Sequence, residues 1–138
     1  MKAAAPGQYI ELVSGHERYG LKLECIHEII TMREITEIPL ARVHVKGVIN
    51  LRSRIVPVIS LRARLRLREV SYMRASRIVV VNAGEEIVGI IVDRVNRVVT
   101  LQHIQPPSER LGKEFFLGAD TTEDGLIHIL NLEQLLQP

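Results

Sequence analysis

Residues 47–62 read GVINLRSRIVPVISLR and contain two runs of β-branched and aliphatic residues. The runs, Gly47 to Asn50 and Ile55 to Ile59, flank the polar segment Leu51-Arg52-Ser53-Arg54. Two such runs around a short polar turn are typical of a β-hairpin. Pro57 cannot donate a ladder hydrogen bond, so we expect the second run at a sheet edge or at a bulge.

A similar hairpin is predicted further along the chain. Ile78 to Val81 and Ile87 to Val92 flank the polar segment Asn82 to Glu86. Gly89 occupies the third position of its run, as Pro57 does in the first hairpin, and it also indicates an edge or a bulge. The likeness between the hairpins is too short to prove a duplication, but it indicates two similar lobes.

Hairpins are also predicted near both ends of the chain. Tyr9 to Val13 and Tyr19 to Leu23 form the first, with Gly15 in its turn. Phe115 to Ala119 and Leu126 to Leu130 form the last. A short terminal helix should follow, capped by Asn131 and ending at Gln137.

Between the hairpins the pattern is less uniform. Cys25, Ile26, Ile29 and Ile30 fall at helical spacing, which predicts a short helix from Glu24 to Ile30. Residues 32–45 form a long connector, and residues 61–68 fit a strand or a helix equally well. Many short strands with almost no long helix favour small antiparallel barrels or a sandwich.

Composition places the chain among folded proteins of one domain. It has 138 residues, 46% of them hydrophobic, with a formal net charge of +2. Cys25 is the only cysteine and cannot form an internal disulfide. No apolar run approaches the length of a membrane span, and residues 1–8 do not resemble a secretory signal, so we expect a cytoplasmic protein without membrane insertion.

The charge is distributed unevenly. Residues 40–80 contain ten Lys or Arg and one acidic residue, Glu69, whereas the flanks are acidic. A basic segment can attract an acidic protein or a phosphate backbone, and composition does not choose between them. Nucleic-acid binding by residues 40–80 is therefore an alternative function, although the absence of aromatic residues between Arg52 and Arg68 argues against base stacking there.

The sequence predicts no catalytic residue, metal site or cofactor site. The five His residues are never four apart, and Ser53 and Ser60 lack the flanking glycines of a nucleophile elbow. Cys25 and His27 would share a face in a strand but not in a helix, and a buried Cys beside a surface His explains them without chemistry. An unrecognised enzyme has no residue-level candidate.

The stretch 47–62 closely resembles the CheW family of bacterial chemotaxis coupling proteins. The family pattern is G-V-I-N-L-R-G followed by I-V-P-V-I-D-L-R, and this chain has Ser53 for the Gly and Ser60 for the Asp. Residues 25–30 resemble the family's V-x-E-I segment, and residues 88–95 its V-G-x-x-V-D-x-V segment. The resemblance extends over about residues 8–137.

The resemblance implies a mainly β fold of two intertwined five-stranded SH3-like barrels with short helices. We expect a single domain over residues 1–138, with lobes at 14–70 and 71–133. The N-terminal strand, residues 8–13, could join the second lobe.

The resemblance also implies a non-enzymatic scaffold in two-component signal transduction. Such proteins link the cytoplasmic tip of chemoreceptors to the histidine kinase CheA by binding its CheW-like regulatory domain. They also join other CheW-like proteins in rings within membrane-associated receptor arrays. A stand-alone adaptor is expected rather than a fragment of CheA.

Two sets of site residues follow from the resemblance. Receptor-binding residues are Ile26, Glu28, Ile29 and Arg52, with the two Ile residues lining one stripe of the predicted helix. Kinase-binding residues are Val92, Asp93 and Val95. Alternatively, the Ile residues pack only inside their lobe, and Val92 and Val95 belong to the core while Asp93 holds a turn.

Overall fold

The computed structural model describes residues 4–107, 109 and 112–137, in which ten strands form two sheets. The first sheet has the order β8-β1-β2-β10-β9 and the second β3-β6-β7-β5-β4. The first consists of β1 (Gly7–Ser14), β2 (Glu17–Lys22), β8 (Arg94–Leu101), β9 (Phe116–Thr122) and β10 (Gly125–Leu130). The second consists of β3 (Ile26–Thr31), β4 (Val45–Leu51), β5 (Arg54–Ser60), β6 (Arg77–Ala83) and β7 (Glu86–Val92).

Helices are few and short in the residues that the structure describes. Two 3-10 turns there span Leu23–Cys25 and Lys113–Phe115, and the α-helices are α1 (Leu61–Arg64) and α2 (Leu132–Leu135). Asn131 caps α2 as predicted, because its side chain accepts a hydrogen bond from the Gln134 amide. No helix in the described part of the chain has the length and apolar character of a membrane span.

The predicted mainly β fold with two five-stranded units is confirmed, and so are the four predicted hairpins. The strands nevertheless group differently from lobes at 14–70 and 71–133. Both internal hairpins lie in the second sheet, because β5 pairs in parallel with β7. The first sheet joins the two ends of the chain, since β2 pairs in parallel with β10, and it also contains the N-terminal strand.

The predicted helix over residues 24–30 is wrong. A 3-10 turn ends at Cys25, and β3 then pairs with β6 from Ile26 to Thr31, with a bulge between Ile26 and Glu28. The ladder with β6 supplies backbone hydrogen bonds along a segment rich in β-branched Ile, which favours strand over helix. The helical spacing of four apolar residues was not sufficient to distinguish a helix from a strand.

The expectation that Pro57 and Gly89 mark a sheet edge or a bulge is also wrong, since β5 and β7 are inner strands and the register is regular at both residues. Pro57 lies opposite Val48 of β4, and the N–H and C=O of Val48 hydrogen-bond with Thr36 rather than with β5. The proline is tolerated because no N–H from position 57 is needed on the β4 side. The parallel pairing of β5 with β7 begins only at Val58, so Pro57 leaves no ladder donor missing.

Residues 61–68, whose pattern fits either structure, begin with the helix α1, which Ser60 caps by accepting from the Ala63 amide.

The second sheet curls so that its two edge strands approach each other. Thr36, which follows β3, forms a bridge with Val48 of β4, and its backbone hydrogen bonds are 2.9 Å long. Gln105 forms the equivalent bridge from the end of β8 to Ala119 of β9 in the first sheet. The two sheets are therefore barrel-like, as the resemblance implied.

One hydrophobic cluster connects the two sheets. It contains Ile10, Leu12, Tyr19 and Leu21 from the first sheet and Ile59, Val79, Ile90 and Val92 from the second. Leu135 of α2 is buried in the same cluster. Each sheet also has a smaller cluster of its own.

Candidate protein interaction surfaces

The turn between β4 and β5 presents Arg52 to solvent. Arg52 and Ser53 have φ values of 50° and 69°, and the Asn50 side chain accepts a hydrogen bond from the Ser53 amide. Two central residues with positive φ are typical of the tight turns that fit the twist of a hairpin. Ser53 therefore adopts a conformation that glycine, the family's residue here, adopts more easily.

Arg52 forms an ion pair with Glu28 of β3. The guanidinium Nη1 donates to Glu28 Oε1 at 2.5 Å, and the Arg52 side chain remains 71% exposed. The hydrogen bond from Arg52 lowers the pKa of Glu28, and the same bond raises the pKa of Arg52. β3 and β4 are the two edge strands of the second sheet. The ion pair therefore connects the two edges that approach each other where the sheet curls.

The predicted receptor-binding residues are brought together only in part. Ile29 follows Glu28 on β3 and is exposed, but successive side chains of a strand point to opposite faces, so Ile29 does not share the face of Glu28. Ile26 is half-buried and packs against the shared core. The predicted stripe of Ile26 and Ile29 does not form, because the segment is a strand and these residues differ in exposure.

The predicted kinase-binding residues lie where the two sheets meet. Val92 is 1% exposed, and Val95 is half-buried against the shared core. Asp93 accepts from Arg62 Nε at 3.0 Å and Nη2 at 2.6 Å, and from the Gly15 amide at 2.9 Å. These contacts give the stretch a structural role, and its contact with a kinase stays a prediction.

The electrostatics of Asp93 fit that structural role. Burial acts to raise its pKa, but hydrogen bonds from Arg62 and the Gly15 amide outweigh burial and hold the pKa below its usual value. The pKa of Arg62 is raised, mainly by its hydrogen bond to Asp93. Asp93 is therefore a charged link between α1 and the turn of the first hairpin.

Sequence analysis missed an apolar loop between β3 and β4. Leu40 is fully exposed and has a φ of 62°, and the nearby Val43 is 84% exposed. Backbone hydrogen bonds hold the loop in place, from Val45 to Arg42 and from Ser60 to His44. Large apolar side chains in a connector were the available signal.

Catalytic geometry is not evident in the described residues. Within residues 4–107, 109 and 112–137, no group of three His, Cys, Asp or Glu side chains could hold a metal ion. The described features are an exposed ion pair, an inter-sheet carboxylate and an apolar loop on two barrel-like sheets.

Comparison with known proteins agrees with this architecture. A CheW-like domain family model matches residues 8–138. A similar curated protein is the chemotaxis protein CheW of Klebsiella aerogenes, 32% identical over 134 residues, which cover 94% of this chain and 81% of the relative. The chemotaxis protein CheW of Helicobacter pylori is 31% identical over 134 residues, with the same coverage of both chains.

A solved structure shares the fold. The crystal structure of the scaffolding protein TtCheW from Thermoanaerobacter tengcongensis superimposes with a TM-score of 0.89 at 31% identity. The match covers 98% of this chain and 90% of the other. The chain belongs to the CheW-like family.

Proposed function

We propose that this protein is a non-enzymatic scaffold in bacterial chemotaxis that couples chemoreceptor tips to the histidine kinase CheA. Its family membership supports a role in chemotaxis, and the name of its structural neighbour describes a scaffolding protein. The observation that carries the proposal is the Glu28 and Arg52 pair, in which the Arg52 side chain is 71% exposed.

The receptor arm of the proposal uses the chemistry of that pair. Arginine has five N–H donors in a planar fork, and the bond to Glu28 occupies only Nη1 of Arg52. The remaining donors can bind a carboxylate on the receptor helix while Glu28 fixes the direction of the side chain. Ile29, the next residue on the same edge strand, supplies an exposed apolar side chain for a further contact.

The kinase arm of the proposal uses the surface where β7 continues into β8. Asp93 and Val95 lie at this junction, and buried Val92 supports them from the core. Its partner would be the CheW-like regulatory domain of CheA, and related contacts would join other CheW-like proteins in rings. We propose that these contacts recruit the protein from the cytoplasm to receptor arrays.

Substitution of Arg52 by Glu tests the receptor arm. The new carboxylate removes the donor fork and repels Glu28, so we expect affinity for a receptor cytoplasmic tip to fall by about tenfold or more. Titration of the purified tip, followed by calorimetry, measures the change. Far-UV circular dichroism should be unchanged because the side chain at position 52 is exposed.

Arg68→Glu is the matched control for this titration. Arg68 is exposed, and it lies in the loop that follows α1, at the other end of the second sheet. The same change of charge there should leave receptor affinity within about twofold. Equal affinity of a folded Arg52→Glu variant and the wild type would remove Arg52 from the receptor site.

A further inference from the structure

Three of the basic residues between positions 40 and 80 are neutralised by carboxylates. Lys46 pairs with Glu69, Arg52 with Glu28 and Arg62 with Asp93. Arg64 and Arg77 donate to backbone carbonyls, which carry no net charge. Among the described residues, much of the positive charge that the sequence places in this stretch therefore has no carboxylate partner.

The topology of the second sheet collects part of this charge at one end. β5 ends at Ser60 and β7 ends at Val92, at the same end of the sheet. β4 and β6 begin at this end, since Val45 pairs with Ile59 and Arg77 pairs with Val92. The loop before β4 therefore lies next to α1, which follows β5. The hydrogen bond from the Ser60 amide to the His44 carbonyl, 2.8 Å long, fixes this contact.

Three arginines meet there, and we call Arg42, Arg64 and Arg66 the arginine cluster. Arg64 donates to the carbonyls of Gln134, Leu135 and Gln137 at 2.8 to 3.0 Å and lies 5.0 Å from the centre of the Phe115 ring. Burial lowers the pKa of Arg64, and the positive charges of Arg42 and Arg66 lower it further, while Glu114 opposes them. Arg42 and Arg66 are thus each close enough to Arg64 to repel its charge.

The other two arginines of the cluster are available to a partner. Arg42 and Arg66 are exposed, and the guanidinium group of neither has a hydrogen-bond or ion-pair partner among the residues that the structure describes. Arg64 is fixed by three carbonyls and cannot move away from them without leaving those carbonyls unsatisfied. A carboxylate bound to Arg42 or to Arg66 would offset that residue's repulsion of Arg64 and gain charged hydrogen bonds.

Exposed aliphatic side chains lie beside the cluster. Leu40 and Val43 are in the loop that carries Arg42, and both project into solvent. Aliphatic side chains pack against apolar side chains of proteins, whereas single-stranded nucleic acids are bound by stacking on aromatic rings. The combination of free guanidinium groups and aliphatic anchors matches a protein segment that is both acidic and apolar.

We propose that the arginine cluster, together with Leu40 and Val43, is a docking surface for an acidic, aliphatic-rich segment of a partner protein. The surface is distinct from the Glu28 and Arg52 pair, because Arg52 lies in the turn between β4 and β5 at the opposite end of the second sheet. It would give the scaffold an electrostatically steered contact in addition to those with the receptor and the kinase.

Fluorescence anisotropy with labelled peptides tests this surface. The probe is a synthetic peptide of repeating Glu-Leu pairs, and the comparison probes are a poly-Glu peptide of equal length and a single-stranded oligonucleotide. We expect the Glu-Leu peptide to bind the full chain most tightly at about 50 mM salt and to weaken as salt rises. The double variant Arg42→Ser/Arg66→Ser should reduce its affinity about tenfold.

Two further variants separate charge from apolar contact. Leu40→Ser/Val43→Ser should weaken the Glu-Leu peptide about fivefold without affecting poly-Glu. Arg54→Ser removes an exposed arginine from the opposite end of the same sheet and should change affinity less than about twofold.

The proposal is overturned if the Glu-Leu peptide does not bind wild type at that salt concentration, or if Arg54→Ser weakens it as much as the double variant does. It is also overturned if poly-Glu or the oligonucleotide binds as tightly as the Glu-Leu peptide. Tighter binding of the oligonucleotide would assign the arginine cluster to nucleic acid instead.

Discussion

A single carboxylate, that of Asp93, ties the two sheets together from outside their shared core. It accepts hydrogen bonds from Arg62, just after β5 of the second sheet, and from Gly15, in the hairpin turn of the first. The side chains of Asp93 and Arg62 are only 15% and 17% exposed. Removal of one member of such a pair leaves the other charge poorly solvated.

Asp93→Asn should therefore lower the free energy of unfolding by about 1 to 3 kcal/mol at neutral pH. Urea denaturation of the variant and the wild type measures the difference. Asp124→Asn is the matched control, because Asp124 pairs with Arg97 while both side chains are 44% exposed. An exposed pair contributes less than about 1 kcal/mol, so equal losses in the two variants would contradict the role given to Asp93.

The same comparison has a defined pH dependence. The pKa of Asp93 is lower in the folded protein than in the unfolded chain. The carboxylate therefore contributes stability above its unfolded pKa and loses that contribution as pH falls through the folded pKa. The difference between wild type and Asp93→Asn should be constant near neutral pH and shrink below about pH 4.

Among the strands, local pattern predicted hairpins better than it predicted strands with distant partners. Each hairpin consists of two runs and a turn within one short segment, so alternation and turn residues were sufficient. β3 pairs with β6, about fifty residues away, and contains a bulge that interrupts its alternation. β8, which pairs with β1 at the other end of the sequence, was not predicted at all.

The same difference applies to the candidate surfaces. The family motifs located Glu28 and Arg52, but the contact between them depends on the curl of the second sheet, which no local pattern encodes. The stripe of Ile26 and Ile29 failed with the helix on which it depended. Exposure of Leu40 and Val43 was unpredictable because it results from the course of a loop without regular structure.

Gly89 shows why an inner strand contains a residue with low β propensity. A Cβ at this position would lie 2.7 Å from Cγ2 of Ile78 and 3.3 Å from Cγ2 of Val58, both inside the second sheet. Gly89→Ala should lower the free energy of unfolding by about 1 to 3 kcal/mol through overpacking, as measured by urea denaturation.

Gly20→Ala in β2 is the control for this packing argument. A Cβ at position 20 would lie 3.4 Å from Cδ1 of Ile127, a distance that the end of a flexible side chain can accommodate. The loss for Gly20→Ala should be clearly smaller than the loss for Gly89→Ala. A smaller loss at Gly89 would show that close packing does not explain the glycine.

In the protein as a whole, the shared core packs the two sheets together and so connects the proposed binding surfaces. Residues from both sheets pack in the same cluster, and α2 closes it with Leu135. The Glu28 and Arg52 pair lies on the second sheet, while Asp93 lies where that sheet meets the first. A shared core fixes the distance between separate surfaces, which suits a scaffold that holds two partners at once.

Formation of a ternary complex tests this account most directly. Sedimentation velocity of the protein mixed with a receptor cytoplasmic tip and the regulatory domain of CheA should show one species that contains all three. Arg52→Glu should remove the receptor tip from this species and leave the complex with the kinase domain intact. A wild-type protein that binds neither partner, or that binds only one of them at a time, would contradict the proposed coupling function.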